Sequence, residues 1–451
     1  MASELRGPGI AGTVTPQEQG KGFVLHLIVL YLFLDFLRPP FVWHFPKIIG
    51  IIVAIAWLAK ARKVISAQIV CFVLFVGILA VDILYAANSY DAVWTTYGML
   101  VVLIGICIPL ISFTDSLTKL RYIVNALLGI FLYIAAYAIF HAGFGPAGTA
   151  GGQDENYVAA AMNLAIPLAW FSFLAERTRW KQACFLGMLC ICVLAIVVGL
   201  SRGGLVGFLC ALAYSLMKSP RKGLAITAAV AIGAILMFGS AATGLVKCNK
   251  YGVGTRATGE DCPSYWEHMS TMTQTGEGTA DLRLELWTIA TQEFLAYPLT
   301  GVGGGNYKWR MSEFQSAEQM EKYDRYLAAE VHSTYFQLLA ETGLAGCLVF
   351  GFILLRTYRD YRHIERLSES GIARAVKRGE AASSEDFKWI RNYGRGLMGG
   401  LIGYMASAAF LSALYYSHVW VVVSLVVALY MIAKRRSDED GKSMVVTEAK
   451  K

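Results

Sequence analysis

Long apolar runs separated by short polar stretches dominate this chain. Twelve such runs stand near 22–37, 45–59, 65–87, 93–113, 121–141, 157–175, 182–200, 203–217, 223–246, 333–355, 396–413 and 417–433. Most approach the ~20 residues that a helix needs to cross a hydrocarbon core roughly 30 Å thick. One polar interval, 247–332, is far longer than most of the others. The pattern predicts an all-α polytopic membrane protein with about 12 transmembrane helices and a small helical extracytoplasmic cap. The organisation that follows is a polar tail (1–21), nine helices (22–246), the cap (247–332), three helices (333–433) with a loop at 356–395, and a second tail (434–451).

Inside the long interval the spacing changes from polar to amphipathic. Residues 281–296 set Leu282, Leu286, Ile289 and Phe294 among Arg283, Glu285 and Glu293, as a helix would. Pro298 and the run Gly301-Val302-Gly303-Gly304-Gly305 end that helix. Residues 311–329 predict a second, charged helix. The glycine run could offer backbone N–H groups to a phosphate, but it follows a helix rather than a strand and reads better as a flexible hinge.

Composition agrees with the pattern: 56% of residues are hydrophobic and 16% charged, which excludes a soluble domain of this length. The net charge of +8 points to topology and not to nucleic acid. Lys60, Arg62 and Lys63, Lys119 and Arg121, Arg177, Arg179 and Lys181, and Lys218, Arg221 and Lys222 occupy alternate loops, and 356–395 holds ten Lys or Arg. The loops at 88–92, 142–156 and 414–416 hold none. Positive charge marks the cytoplasmic side, so both termini are expected there and 247–332 outside. No cleavable signal is evident in the polar first 20 residues, so the first span serves as the insertion signal.

Seven of the nine cysteines lie inside apolar runs, where a thiol behaves as a small hydrophobe. Cys248 and Cys262 bracket a short extracytoplasmic loop, where a disulfide would contribute roughly 3 kcal/mol. No CxxC pair and no set of spaced outer carboxylates announces a metal, and no cofactor is implied.

Candidate chemistry gathers where the polar interval meets the tenth run. In Glu330-Val331-His332-Ser333-Thr334-Tyr335, a histidine with a carboxylate two residues before it lies at the mouth of a span. Ionisable groups at such places are functional candidates, although a single histidine is also a common packing residue. Four of the extracytoplasmic arginines matter beside it: Arg38 before Pro39-Pro40, Arg202 in Ser201-Arg202-Gly203-Gly204, Arg283, and Arg310. A guanidinium fork suits phosphate oxygens, whereas a snorkelling arginine reaches only lipid headgroups. The two glycines after Arg202 would let a ligand approach the backbone closely. Asp154, Glu155 and Asn156 open the sixth run and read equally as helix caps or substrate contacts.

These residues, in this order, resemble the O-antigen ligase and polymerase superfamily of bacterial envelope enzymes. The resemblance rests on Asp154-Glu155-Asn156 with Asn163 to Pro167, Ser201 to Gly204, Arg283 to Trp287, Pro298 to Gly303 with Asn306-Tyr307, and His332 to Tyr335 with Glu341-Thr342-Gly343. It implies a metal-independent, inverting glycosyltransferase of the bacterial inner membrane, with its active site on the periplasmic side. The implied donor is an undecaprenyl-diphosphate-linked glycan and the implied acceptor the lipid A–core, another glycan or a protein hydroxyl. By position, Arg202 and Arg283 match the diphosphate-contacting arginines and His332 the essential histidine. Arg38, Glu155, Asn156, Arg310, Glu330 and Tyr335 stand as candidate substrate contacts from their own placement, and Glu330 or Tyr335 can orient the His332 ring. A lipid-linked glycan flippase or exporter is the reading from another class. It would call for more ionisable residues deep in the spans than Asp35, Asp82 and Glu341, and no internal repeat is evident.

Overall fold

The structure, a computed structural model, describes residues 16–37, 45–60, 63–141, 143–146, 154–228, 230, 279–316 and 329–448, with the side chains of 16–21, 279–281 and 442–448 left aside. Among these residues all regular structure is helical. The helices are α1 (Pro16–Leu37), α2 (Phe45–Leu58), α3 (Ala67–Asp82), α4 (Ser89–Phe113), α5 (Leu117–Phe140), α6 (Glu155–Ala175) and α7 (Arg179–Val198). They continue with α8 (Arg202–Lys218), α9 (Thr279–Ala296), α10 (Tyr307–Phe314), α11 (Thr334–Arg378), α12 (Ala381–Ser407) and α13 (Ser417–Glu448). Six described helices, α4, α5, α6, α7, α11 and α13, are long and apolar enough to cross a membrane, and three further apolar helices are shorter. This is the mark of a multi-pass membrane protein. The expected ninth span, 223–246, lies largely outside the described residues.

The middle of the bundle is α12, flanked by α6, α8, α11 and α13. It can sit there because it is thin on one side. Gly396 and Gly400 lie against Leu168 and Leu164 of α6, and Gly399 and Gly403 against Tyr214 and Ala211 of α8. Small residues of this kind let helices approach closely where no hydrophobic force drives them together. Asn163, fully buried on α6, donates to Gly204 O on α8 and Ser407 Oγ on α12, both at 2.9 Å. That polar tie explains a residue which the sequence marked only by resemblance.

The basic loops meet at one end. Arg177 pairs with Glu385, Arg435 donates to Asp115 O at 2.9 Å, and Glu365 holds both Lys218 (2.8 Å) and Arg395 (3.0 Å). The segment 356–395, expected as a loop, is instead helical, as α11 and α12 run on to a tight turn at Gly379 (φ 72°). The expected tail after 433 is likewise helical, and its Asp440 receives Arg374 at 2.6 Å and also pairs with Arg378. Amphipathic helices with this much charge look like loops to a hydropathy scan.

At the other end, α11 breaks at Gly343 (φ 58°, ψ −159°), a conformation open to glycine alone. The glycine run docks into that break. The N–H groups of Val302 and Gly303 donate to Ala340 O (2.8 Å) and Glu341 O (3.0 Å), while Leu344 N–H donates to Pro298 O (2.8 Å). The run is therefore a packed seam and not the flexible hinge that its composition suggested, and its N–H groups are largely taken by the protein. Here α9 and α10 form a second apolar cluster, in which Leu286, Ile289, Tyr307 and Met311 bury against Val331 and Ala340. Burial of each such side chain stabilises by about 1.5–3 kcal/mol, enough to hold α9 on the start of α11. Of the helix expected over 311–329, α10 covers the first residues from an earlier start at Tyr307, and 317–328 lie outside the described residues.

Candidate active site

The turn before α8 is built by capping. Ser201 Oγ accepts the Gly204 N–H at 2.9 Å and donates to Asn156 Oδ1 at 2.7 Å. Asp154 Oδ1 in turn accepts both the N–H and the Nδ2 of Asn156 at 2.7 Å. Caps of this kind satisfy the free donors of a helix start. Here they also lash the start of α6 to the start of α8, and so fix Arg202. The glycines after Arg202 serve packing: a Cβ at Gly203 would lie 2.8 Å from Phe410, and one at Gly204 2.3 Å from Ala159. Close ligand approach is not what requires them.

Phe410 leads from that turn to the histidine. It lies 6.4 Å from Trp287, which stacks on Phe336 at 5.1 Å and donates its Nε1 proton to Val331 O at 3.1 Å. Trp287 is one helical turn after Arg283, so the ring that clamps Val331 also places Arg283. His332 follows at φ 49°, and its N–H donates to Ser412 Oγ at 3.0 Å. Thr334 Oγ1 donates to Leu411 O (2.8 Å) and accepts from Ala413 N (2.9 Å), pinning the segment to the end of α12. Among the described residues, Leu200 (φ 50°) and His332 are the non-glycine positions with positive φ. Each costs about 1–2 kcal/mol, and backbone strain of this kind collects at functional sites.

Electrostatics joins the same groups. Burial first, and then the neighbouring Arg283 guanidinium, holds the His332 imidazole below its ordinary value, against an opposing pull from Asp154. Arg283 is lowered by burial and by Arg202, with Asp154 and Glu155 opposing. Two guanidiniums, two carboxylates and an imidazole thus share one partly buried site. A neutral imidazole can take a proton, and paired guanidiniums suit a phosphate dianion.

The other sequence candidates scatter. Glu330 is exposed by area but set among polar neighbours, and desolvation raises its carboxyl; Tyr157 Oη lies 3.5 Å from it. Tyr335 donates its hydroxyl to Met405 O at 2.8 Å and so braces α12. Arg310 sits over Tyr297 (4.8 Å), donates to Tyr85 O (3.2 Å) and pairs with Glu313 (3.6 Å), apart from the other two arginines. Its neighbour Glu293 is fully buried with no hydrogen-bond partner for either oxygen, and burial raises its carboxyl to about 9, so it is protonated at neutral pH. Arg38, Cys248 and Cys262 lie outside the described residues. Among the described residues no group of three or more His, Cys, Asp or Glu is arranged to hold a metal ion. Sequence reasoning missed Ser412 and Trp287 as supports of His332; the one signal for Ser412 was its place among Ser407 and Ser417 at a break in apolar sequence.

Arg202, Arg283 and His332 thus lie within electrostatic reach of one another through Arg283. Residues 186–351 match the O-antigen ligase family model. All three site residues fall within the match, which runs from inside α7 to inside α11. The match supports the O-antigen ligase superfamily and an activity of the ligase or polymerase type. No curated protein matches the chain significantly. Within the match, α8 and α9 carry the two arginines, and His332 stands just before α11.

Proposed function

We propose that this protein is an inverting glycosyltransferase that moves a glycan from undecaprenyl diphosphate to an acceptor hydroxyl, as an O-antigen ligase acting on the lipid A–core. The observation that carries this reading is the convergence of Arg202, Arg283 and a neutral-leaning His332 within the O-antigen ligase match. In the reaction the acceptor oxygen attacks the sugar C1 as its proton passes to the His332 ring. The C1–oxygen bond to the diphosphate breaks, and the leaving diphosphate carries the electron pair to the arginines. Fixed cations in a site partly screened from water stabilise that departing charge better than water can. Direct attack inverts C1, and no step calls for a metal.

Disruption of the gene separates the alternatives. A ligase leaves bare lipid A–core and accumulates lipid-linked polymer. A polymerase leaves cores capped by a single repeat, a protein glycosylase leaves the ladder intact, and a flippase traps precursor on the cytoplasmic face. An unchanged ladder and lipid-linked pool would end the ligase reading.

The same reading sets the site on the periplasmic face of the inner membrane, with the twelve-span topology and the outer cap expected from the sequence. In a cysteine-free background, Ser312→Cys on the outer segment and Ser370→Cys on the α11 extension, both at exposed positions, are expected to differ in intact cells. An impermeant thiol reagent should label the first and spare the second. The reverse pattern would place His332 on the wrong side of the membrane for this chemistry.

A further inference from the structure

A cavity of about 210 Å³ opens between α10, the start of α11 and the connection from α12 to α13, beside the His332 backbone. Lys308, Glu330, Val331, Ser412 and Tyr416 are among its walls, and none of Arg202, Arg283, Asp154 and His332 lines it. Two of the wall residues also hold the histidine: Ser412 accepts its N–H, and Val331, its neighbour in the chain, is clamped by Trp287. The cavity and the arginine pair are therefore separate, and the His332 backbone adjoins the cavity through Ser412 and Val331.

The wall suits a sugar. Glu330 can accept from hydroxyls, and Lys308, held 3.0 Å from Asp91, can donate to them. Tyr415 and Tyr416 add aromatic surface to the wall, which suits the C–H side of a pyranose. The ammonium of Lys308 also acts on the Glu330 carboxyl, so the rim carries both signs. The floor is already occupied by the protein's own bonds: Glu341 accepts from Tyr415 Oη at 2.6 Å and Gln337 Nε2 at 3.4 Å. A pocket with both signs at its rim and a satisfied floor favours an uncharged polyol over a phosphate. Its volume falls below the roughly 300–1,000 Å³ of sites that enclose a drug-sized ligand, which leaves space for one ring and not a chain.

We infer that this cavity is the acceptor subsite and takes one neutral pyranose whose attacking hydroxyl faces His332. The inference rests on the transferase reading above. In a direct displacement the nucleophile enters opposite the leaving group, so a base with cations in one surrounding and a sugar pocket in another has the required layout. Lys308 and Glu330 then determine which acceptor hydroxyl is presented.

Ala329, partly buried on the cavity wall, gives the test. Purified protein in nanodiscs is assayed with undecaprenyl-diphosphate-linked O-antigen as donor and rough lipopolysaccharide as acceptor. Ala329→Phe fills the cavity and is expected to raise the acceptor KM about tenfold or more, with the donor KM within about twofold of wild type. Lys308→Ala and Glu330→Gln are expected to raise the acceptor KM about three- to tenfold, the scale of one lost hydrogen bond. An unchanged acceptor KM in folded Ala329→Phe, or a donor KM that rises in step, overturns the assignment. If Ala329→Phe does not fold, the Lys308→Ala/Glu330→Gln pair decides by the same two constants. Wild-type protein that turns over no donor with rough lipopolysaccharide, a glycan or a peptide acceptor defeats the transferase reading itself, and the subsite with it.

Discussion

Replacing His332 by alanine is expected to lower transfer by about 10²- to 10⁴-fold, the range for loss of a general base. Insertion, yield and binding of undecaprenyl diphosphate should stay near wild type, because the segment is held by backbone bonds to Ser412 and by the side chain of Thr334 rather than by the imidazole. The pH profile gives an independent check. Only the neutral ring accepts a proton, so activity falls as pH drops through the histidine's pKa. Burial and Arg283 lower that pKa, which places the acid limb of kcat/KM below the ordinary histidine value of about 6.5. Arg283→Gln removes one lowering influence and should shift the limb toward higher pH, whatever it does to the rate. His332→Gln keeps a hydrogen-bonding group but cannot take the proton. Substantial turnover in that variant would reduce His332 to an orienting group.

The second large effect belongs to the arginines. Arg202→Lys and Arg283→Lys keep the charge but lose the planar fork. A hydrogen bond to a charged group is worth about 1.5–3 kcal/mol, so each is expected to lower kcat/KM by roughly ten- to a hundredfold. Alanine should cost more than lysine at both positions. The loss should appear in competition by free undecaprenyl diphosphate as well as in turnover, since the same guanidiniums meet the same phosphates. Near-wild-type transfer by Arg202→Ala would show that Arg202 only reaches lipid headgroups.

Much of the helical framework around the candidate site could be read from the sequence. The helix carrying Arg283 showed its period in Leu282, Leu286 and Ile289, and the structure places it over Thr279–Ala296. His332 announced itself as an ionisable group at the start of an apolar run. What stayed hidden depends on packing between distant segments. The Gly301–Gly305 run looked like a hinge because glycine composition cannot tell freedom from close approach; only its docking onto the break at Gly343 does. Asp154 and Asn156 fitted both a cap and a contact, and the structure shows that the cap itself positions Arg202. Charge density concealed the helices of 356–395. Glycines along α12 lowered the apolar signal of the element that packs most centrally. Ser412 could not be foreseen, since its role comes from a backbone N–H 80 residues away in the chain.

The continuity of α12 has a practical side. It runs unbroken from Ala381, beside the Gly379 turn, to Ser407, a few residues before the serine that holds the histidine. At about 1.5 Å per residue, this is a rod of roughly 40 Å joining the far end of the molecule to the His332 segment. A rigid protein tag spliced at Gly379–Glu380 would give a small membrane particle the asymmetric mass that image alignment in electron microscopy needs. It would stand well away from the proposed site, and its orientation would stay registered to the helix that ends a few residues before Ser412.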